Sequence, residues 1–323
     1  MAPPIREVCM NLATMDYFVS LAEERSFTRA AERLNVTQQT LSAHIAGVER
    51  ELGVRLVNRT VPLTLTYAGE EFLRYARRFQ AERRELEQEF ADIAGDVQGV
   101  LAVGIASTRG RLLMPDAIAA FGRTRPRVGI ELYEDENDEL VELLREGAVD
   151  MMVGTVPANA AGLEVIPLRT ERVALLVSDA LLRRQYGAEA QAVVDEVERT
   201  GSLASMSEMP FLLLGEGDEP GDLSRALLRS AGIRPVPRVM SKNSETLVEL
   251  AVRSVGACFV PEDLAHAMAD DASKGLRKVS LGEDAVIPIH VAWRKSGHVW
   301  SVVEAFANLL VELFGEPDGE QAR

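Results

Sequence analysis

A chain of 323 residues with 47% hydrophobic content is longer than the usual single domain and can fill full cores, yet no apolar run approaches the roughly 18 residues that span a bilayer. Two cysteines, Cys9 and Cys258, without a CxxC or nearby histidines, exclude a disulfide framework and a zinc site. The net charge of −15 argues against nucleic acid until the chain is divided: residues 1–94 hold 12 Lys+Arg against 14 Asp+Glu, and residues 95–323 hold 23 against 36, so the acidity belongs to the second part.

The first ten residues, MetAlaProProIleArgGluValCysMet, lack the apolar core of an export signal, which leads to the expectation of a cytoplasmic protein, with Met10 and Met15 as alternative starts. From 26 to 53 the pattern is that of a helix-turn-helix. The stripe Phe27, Ala30, Ala31, Leu34 is followed by an Asn35-Val36 turn and a second stripe, Leu41, Ile45, Val48, Leu52. Thr37 sits where an N-cap belongs and can accept an amide proton left free in the next helical turn. With the second stripe inward, Gln39, Thr40, Ser42, Ala43, Ala46 and Arg50 turn outward, flanked by Gln38 and His44. That face is short and polar. Small residues allow close approach to a major groove, and amides can pair with adenine. An ordinary exposed helix of a helical subdomain fits the pattern as well.

The stretch from Met15 to about Gly69 resembles the winged helix-turn-helix of LysR-type transcriptional regulators. The resemblance rests on Phe18, Ser26-Phe27, Ala30-Ala31, Leu34, Thr37-Gln38, Leu41-Ser42, Ile45, Glu49, Leu52-Gly53, Arg59, Leu65-Thr66 and Ala68-Gly69. It implies an all-α winged head over 1–66 that meets double-stranded DNA through Thr37, Gln38, Gln39, Ser42 and Ala43, and the outward face of the second helix adds Thr40 and Arg50. Arg55 to Thr66 would form the wing, with Arg59 at the backbone or minor groove and Asn58 beside it as a further DNA-binding candidate. Several positions depart from the family. Gln39 replaces a common proline or serine, Ala43 a common arginine, His44 a common glutamine and Val57 a usual phenylalanine. Without an arginine at 43 the most common direct guanine contact is lost. His44 reads as a flank or packing residue.

From Tyr67 to Ile93 there is no proline and only Gly69, and Phe72, Phe79, Leu86 and Ile93 recur every seven residues, with Ala76 and Phe90 between them and Arg83 as an exception. A seam of this length asks for a partner. The resemblance makes residues 67–94 a linker helix that forms an antiparallel homodimer through Phe72, Phe79, Leu86, Phe90 and Ile93, with a homotetramer beyond it. A helix lying on its own effector domain is the alternative.

After Gly95, strands and helices alternate: strand 99–106, helix 112–121, strand 128–133, helix 139–147 and strand 149–154. A second unit runs through strand 172–177, helices around 180–199, strand 211–214, helix 222–231, strand 236–240, helix 244–254 and strand 256–260. Strand 286–293 and helix 299–314 close the chain. The alternation reads as α/β, and its residues Leu112-Leu113, Pro115, Phe121, Pro126, Gly147 and Asp150 resemble the family's effector domain, which implies a winged head, a long linker helix and a two-lobed effector domain, 95–323, of periplasmic-binding-protein type. Lobe I would comprise 95–166 and 264–323, and lobe II 169–261, with the helical region 180–207 longer than the family's common version.

Open α/β sheets bind ligands beyond the carboxyl ends of their strands. That places Ser107, Thr108, Arg109, Thr155, Gly215, Asn243 and Ser244 at an effector site, although Asn243 and Ser244 also suit N-caps and Ser107 suits a cap for a helix after Gly110. Glu134, Asp135, Glu136, Glu216 and Asp218 would put carboxylates near the mouth and favour a cationic, zwitterionic or neutral polar small molecule, with Arg109 and Arg111 as an offset. No G-x-G-x-x-G, Walker loop, G-x-S-x-G or H-E-x-x-H is present, and His44, His266, His290 and His298 are scattered. No catalytic residue, cofactor or metal is therefore expected, and Trp293 and Trp300 read as core. The competing functional reading is an acidic protein-interaction module or ligand receptor whose helical head binds a protein.

Overall fold

The computed structural model describes residues 11–316 apart from 96, 235, 270–274 and 296; Cys9 and the alternative start at Met10 lie outside the described residues. The head consists of α1 (Leu12–Glu24), α2 (Phe27–Arg33) and α3 (Gln38–Leu52), followed by a two-stranded wing, β1 (Val57–Asn58) and β2 (Thr64–Leu65). Phe18, Leu21, Leu41, Ile45 and Val48 are buried in its core. Leu52, expected inward, is 42% exposed, because α3 ends there, at a left-handed Gly53, after its last buried turn. Asn35 takes a positive φ of 53°, which turns the chain between α2 and α3.

The linker is one unbroken helix, α4 (Tyr67–Ala94), whose N-cap Thr66 accepts from the Gly69 amide and donates to the Arg55 carbonyl at 2.7 Å. Its apolar residues divide. Phe72, Leu73 and Ala76 are buried in the head core, with the Phe72 ring edge-on to Phe18 at 4.9 Å, so Phe72 belongs inside the head and not to an intermolecular seam. The regular seven-residue spacing conceals this, because the first turns of α4 bury the same face on α1. Phe79, Leu86, Phe90 and Ile93 remain exposed.

The opposite face of α4 is polar and lies on the second part of the chain. That part is built on β3 (Gly99–Ile105), α5 (Ser107–Thr124), β4 (Val128–Glu134), α6 (Asn137–Glu146) and β5 (Met151–Gly154). It continues through β6 (Leu163–Ser178), α7 (Asp179–Tyr186), α8 (Ala190–Thr200), β7 (Phe211–Leu214), α9 (Glu219–Ser230), β8 (Val239–Ser241), α10 (Ser244–Val252) and β9 (Ala257–Pro261). α11 (Glu262–Ala269), β10 (Leu276–Ser280), β11 (Val286–Arg294) and α12 (Ser301–Phe314) complete it. Nine strands form one sheet in the order β4-β3-β5-β11-β6-β9-β7-β8, with β10 paired to β6. β4-β3-β5 and β9-β7-β8 are parallel sets, whereas β11 runs antiparallel to both β5 and β6.

The two lobes are joined by β6 and β11. The 16-residue β6 lies beside β11 in its first half and beside β9 and β10 in its second, and the register of β11 shifts at Ile289/His290. The chain was expected to return to lobe I near 261–264. It returns later, through β11, because α11 packs on β6 and β10 and β10 pairs with Ala174–Ser178 of lobe II. Pro115 lies inside α5, which begins at Ser107 and not after Gly110, so Ser107 is a first-turn residue and Ala106 the cap position. Trp293 and Trp300 are buried in the core. Among the described residues, no helix is long and apolar enough to cross a membrane.

Candidate functional site

The head presents a defined polar end. Thr37 accepts from the Thr40 amide at 3.1 Å, which fixes the start of α3 and leaves Gln38, Gln39 and Thr40 exposed on its first turn. Ala43 and Arg50 are exposed further along the helix, and Ser42 is half-buried. His44 is a packing residue: its ring stands edge-on to Tyr17 at 4.9 Å, and Nδ1 lies 3.3 Å from the Thr14 hydroxyl.

Glu49, quoted in the sequence only as part of a motif, positions the wing. Its carboxylate accepts from the amides of Leu56 at 2.8 Å and Val57 at 3.3 Å, so α3 and the wing form one rigid surface. Arg59 lies over the Phe27 ring at 5.5 Å and 3.9 Å from Glu49, held beside α3 and still half exposed. Asn58 is occupied within the wing, donating to Thr64 at 3.2 Å. Of the cations on α2, Arg29 and Arg33 are paired with Glu24 and Glu23. The near-neutral head therefore exposes few uncompensated cations.

Between the lobes is a cleft of about 230 Å³, lined among others by Ser107, Thr108, Arg109 and Ser244. Thr108 donates to Ser244 across it at 3.2 Å, and Arg111 pairs with Glu245 from the opposite lobe. Arg109 is 5% exposed and lies 3.1 Å from Glu171 and 3.8 Å from Glu219, so much of its charge is already compensated. The other three predicted contacts are not in the lining. Thr155 donates its hydroxyl to the Pro288 carbonyl at 3.1 Å, and the Asn137 side chain clamps its backbone. Gly215 is held by β-type pairing to Ser241 and accepts from Arg225. Asn243 caps α10 by accepting from the Thr246 amide at 2.9 Å.

Asn137, Glu171, Glu219 and Lys242, which also line the cleft, are not among the residues the sequence singled out. Glu171 carried a signal, a carboxylate inside an apolar strand, that a search confined to strand ends passes over. Burial pushes the Asp218 carboxyl up to about 6, against the Gly221 amide that it accepts from at 2.9 Å. Burial also lifts Glu219 above the ordinary carboxylate range in spite of Thr155 and Arg109.

The linker helix ties head to lobes. At the head, Asp16 meets Arg83 at 2.9 Å and Gln80 at 2.7 Å. At lobe I, Arg77 meets Glu146 at 2.9 Å, Arg84 donates to the Gly147 carbonyl, and Glu85 meets Arg294 at 2.6 Å. Asp92 accepts from the Ser301 amide at 2.9 Å and hydroxyl at 2.6 Å, with His298 at 3.0 Å. Burial works against the Asp92 charge, but these donors outweigh it and hold the carboxyl below its usual range.

A winged three-helix head, carried by a long helix on a two-lobed α/β domain with an inter-lobe cleft, defines a DNA-binding regulator with an effector domain. The family model described as LysR substrate binding domain matches residues 94–315, and that of the bacterial regulatory helix-turn-helix protein, lysR family, matches residues 12–70. The chain belongs to the LysR family of DNA-binding transcriptional regulators. It is similar to a hydrogen peroxide-inducible genes activator of Pectobacterium carotovorum, 32% identical, with 78% of this chain and 80% of that one covered. It is also similar to the HTH-type transcriptional regulator BenM of Acinetobacter baylyi, 27% identical over 95% of this chain and 99% of that one. Full-length CbnR, solved in complex with its target DNA, shares the fold at a TM-score of 0.63 and 24% identity, with 94% and 99% of the two chains covered.

Proposed function

We propose that this regulator acts in the cytoplasm as a homodimer or a pair of dimers, reads operator DNA through α3 and its wing, and is gated by a small molecule bound between its lobes. The observation that carries this reading is the double attachment of α4. Its first turns are part of the head core, its polar face is fastened to lobe I at Glu146, Gly147, Arg294 and Ser301, and its apolar face is open. A helix held in this way is a lever: a change in the angle between lobes moves α4, and α4 moves the head. Two heads on paired levers then change their spacing on DNA. The size of the response is bounded by the difference in effector affinity between the two lobe arrangements.

Gln38 and Gln39 are placed to read bases, Thr37 and Thr40 to meet the backbone, and Arg59 to reach the backbone or minor groove after leaving Glu49. CbnR was solved on its target DNA, which supports the same use of the head here. The peroxide response for which some relatives are named is not carried over to this chain. Cys258 is fully buried in β9, and burial pushes its thiol up to about 12, which disfavours the thiolate that would attack peroxide.

The test is fluorescence anisotropy of the full chain on the DNA upstream of its own gene, against scrambled competitor, from low to physiological salt. Sequence-dependent binding is expected. Equal binding to both DNAs at every salt concentration would overturn the DNA-reading role and favour a protein partner for the head.

A further inference from the structure

The cleft is lined by six carboxylates and only two cations, and Arg109, one of the two, is already engaged by Glu171 and Glu219. Glu134 and Glu136 approach from lobe I, at the end of β4, and Asp218 from lobe II, at the start of α9. None of these three has a cationic ion-pair partner among the described residues; the Asp218 carboxylate accepts only the Gly221 amide. The second cation, Lys242, is exposed at the rim. Like charges facing each other across a closing gap oppose closure, and this opposition grows as water leaves.

A second, independent feature asks for a different group. Arg109 lines the cleft with its side chain 6% exposed, and its Nε is buried with no acceptor among the described residues. It stands in the first turn of α5, whose cap residue Ala106 offers no side-chain oxygen to the free amides. A buried donor of this kind is costly until it meets an oxygen. Nowhere among the described residues do three or more His, Cys, Asp or Glu side chains gather as they would to hold a metal ion, so the carboxylates do not form a metal cage.

We infer that the effector is a small organic cation, a primary amine that also carries a hydroxyl or amide oxygen: the ammonium group is held between Glu134 and Glu136 of lobe I and Asp218 of lobe II, and the oxygen is turned toward Arg109 and the start of α5. The inference rests on the gating reading above and adds its chemistry. An ammonium group between the lobes converts their repulsion into attraction only when the cleft is closed. That supplies the difference in affinity that gating requires. The volume of about 230 Å³ suits a molecule smaller than a typical drug-sized ligand.

The experiment is calorimetric titration of the full chain with a panel of amino alcohols and amino amides, 4-aminobutan-1-ol and 3-aminopropanamide among them, beside 1,4-butanediol, succinate and calcium chloride. At least one amine is expected to bind roughly tenfold or more tightly than the diol or succinate. Its affinity should fall by roughly tenfold or more in Glu136→Gln, as expected for loss of a charge-assisted contact, and stay unchanged in Glu142→Gln outside the cleft. Silence of every amine overturns the proposal. So does succinate or calcium binding tighter than all of them, or an amine affinity indifferent to Glu136→Gln with the variant folded by circular dichroism. Operator anisotropy with the same compounds separates the two readings. An amine that binds without changing DNA affinity sinks the gating and leaves the ligand class standing, whereas a response to succinate alone does the reverse.

Discussion

Leu86→Glu tests whether the open face of α4 is the dimer seam. Phe79, Leu86, Phe90 and Ile93 are 45%, 55%, 62% and 72% exposed, so each has about half or more of its surface left to bury. Full burial of a Leu or Phe is worth ~1.5–3 kcal/mol, which leaves on the order of 1 kcal/mol for each of these side chains on pairing. In a two-fold pair every residue counts twice, so truncating Leu86 removes about 2 kcal/mol, or roughly 30-fold in the dimer dissociation constant. Two carboxylates placed in an apolar seam add their desolvation, which brings the expected weakening to on the order of 100-fold or more. Sedimentation velocity over a concentration series reads this directly. Gln88→Ala is the control: two residues on, about 200° round the helix, its side chain donates to Asp150 at 3.4 Å on the lobe side. It should leave the dimer intact. A folded Leu86→Glu protein with an unchanged dimer constant would refute the seam, and the open face would then need another occupant.

Gln39→Ala is expected to relax base preference at one operator position by about 1–3 kcal/mol, whereas Arg59→Ala should weaken binding to all sequences and flatten the salt dependence, both read by anisotropy. Gly147 has φ +76°, and a Cβ there would overlap the Arg294 guanidinium and the Ala81 methyl of α4, so Gly147→Ala should lower the melting temperature by the equivalent of about 1–2 kcal/mol of backbone strain or more and loosen α4 from lobe I. Hydrogen peroxide should leave operator binding unchanged in a Cys9→Ser background, and a thiol reagent should label Cys258 only on unfolding, since its thiol is pushed up to about 12. For Asp218, raised to about 6, the protonated form is favoured by folding, so its contribution is present below the unfolded carboxylate range and is lost as pH rises through about 6. Asp218→Asn retains a capping oxygen, and its melting temperature relative to the parent protein should therefore rise between pH 5 and pH 7.

The helix-turn-helix was legible because its determinants are local. Thr37 caps by reaching three residues ahead, and the stripe Leu41, Ile45, Val48 follows helical period. Most of the alternating elements beyond Gly95 were legible for the same reason, to within about five residues at their ends, but β6 starts at Leu163 and not at 172, and α11 and β10 were not read at all. What escaped was non-local. The role of Glu49 depends on wing amides seven and eight residues away that only the turn at Gly53 brings back. The cleft lining depends on Thr108 meeting Ser244, 136 residues apart in the chain.

Sequence by itself determined the period, caps and charge of each segment, and hence a helix-turn-helix, a long helix and an α/β domain, since these follow from short-range sterics and hydrogen bonding; the wing came only from the family resemblance. It also determined that α4 carries more apolar surface than a lone helix can hide. Only the tertiary structure decided how that surface is divided, with Phe72 buried against Phe18 and Phe79 left open. The same holds for the cleft, where Asn243 is spent on capping α10 while Glu171 holds Arg109. A side chain's partner is fixed by the path of distant strands, here the β6 and β11 pair that joins the lobes, and that path is a property of the whole packed core.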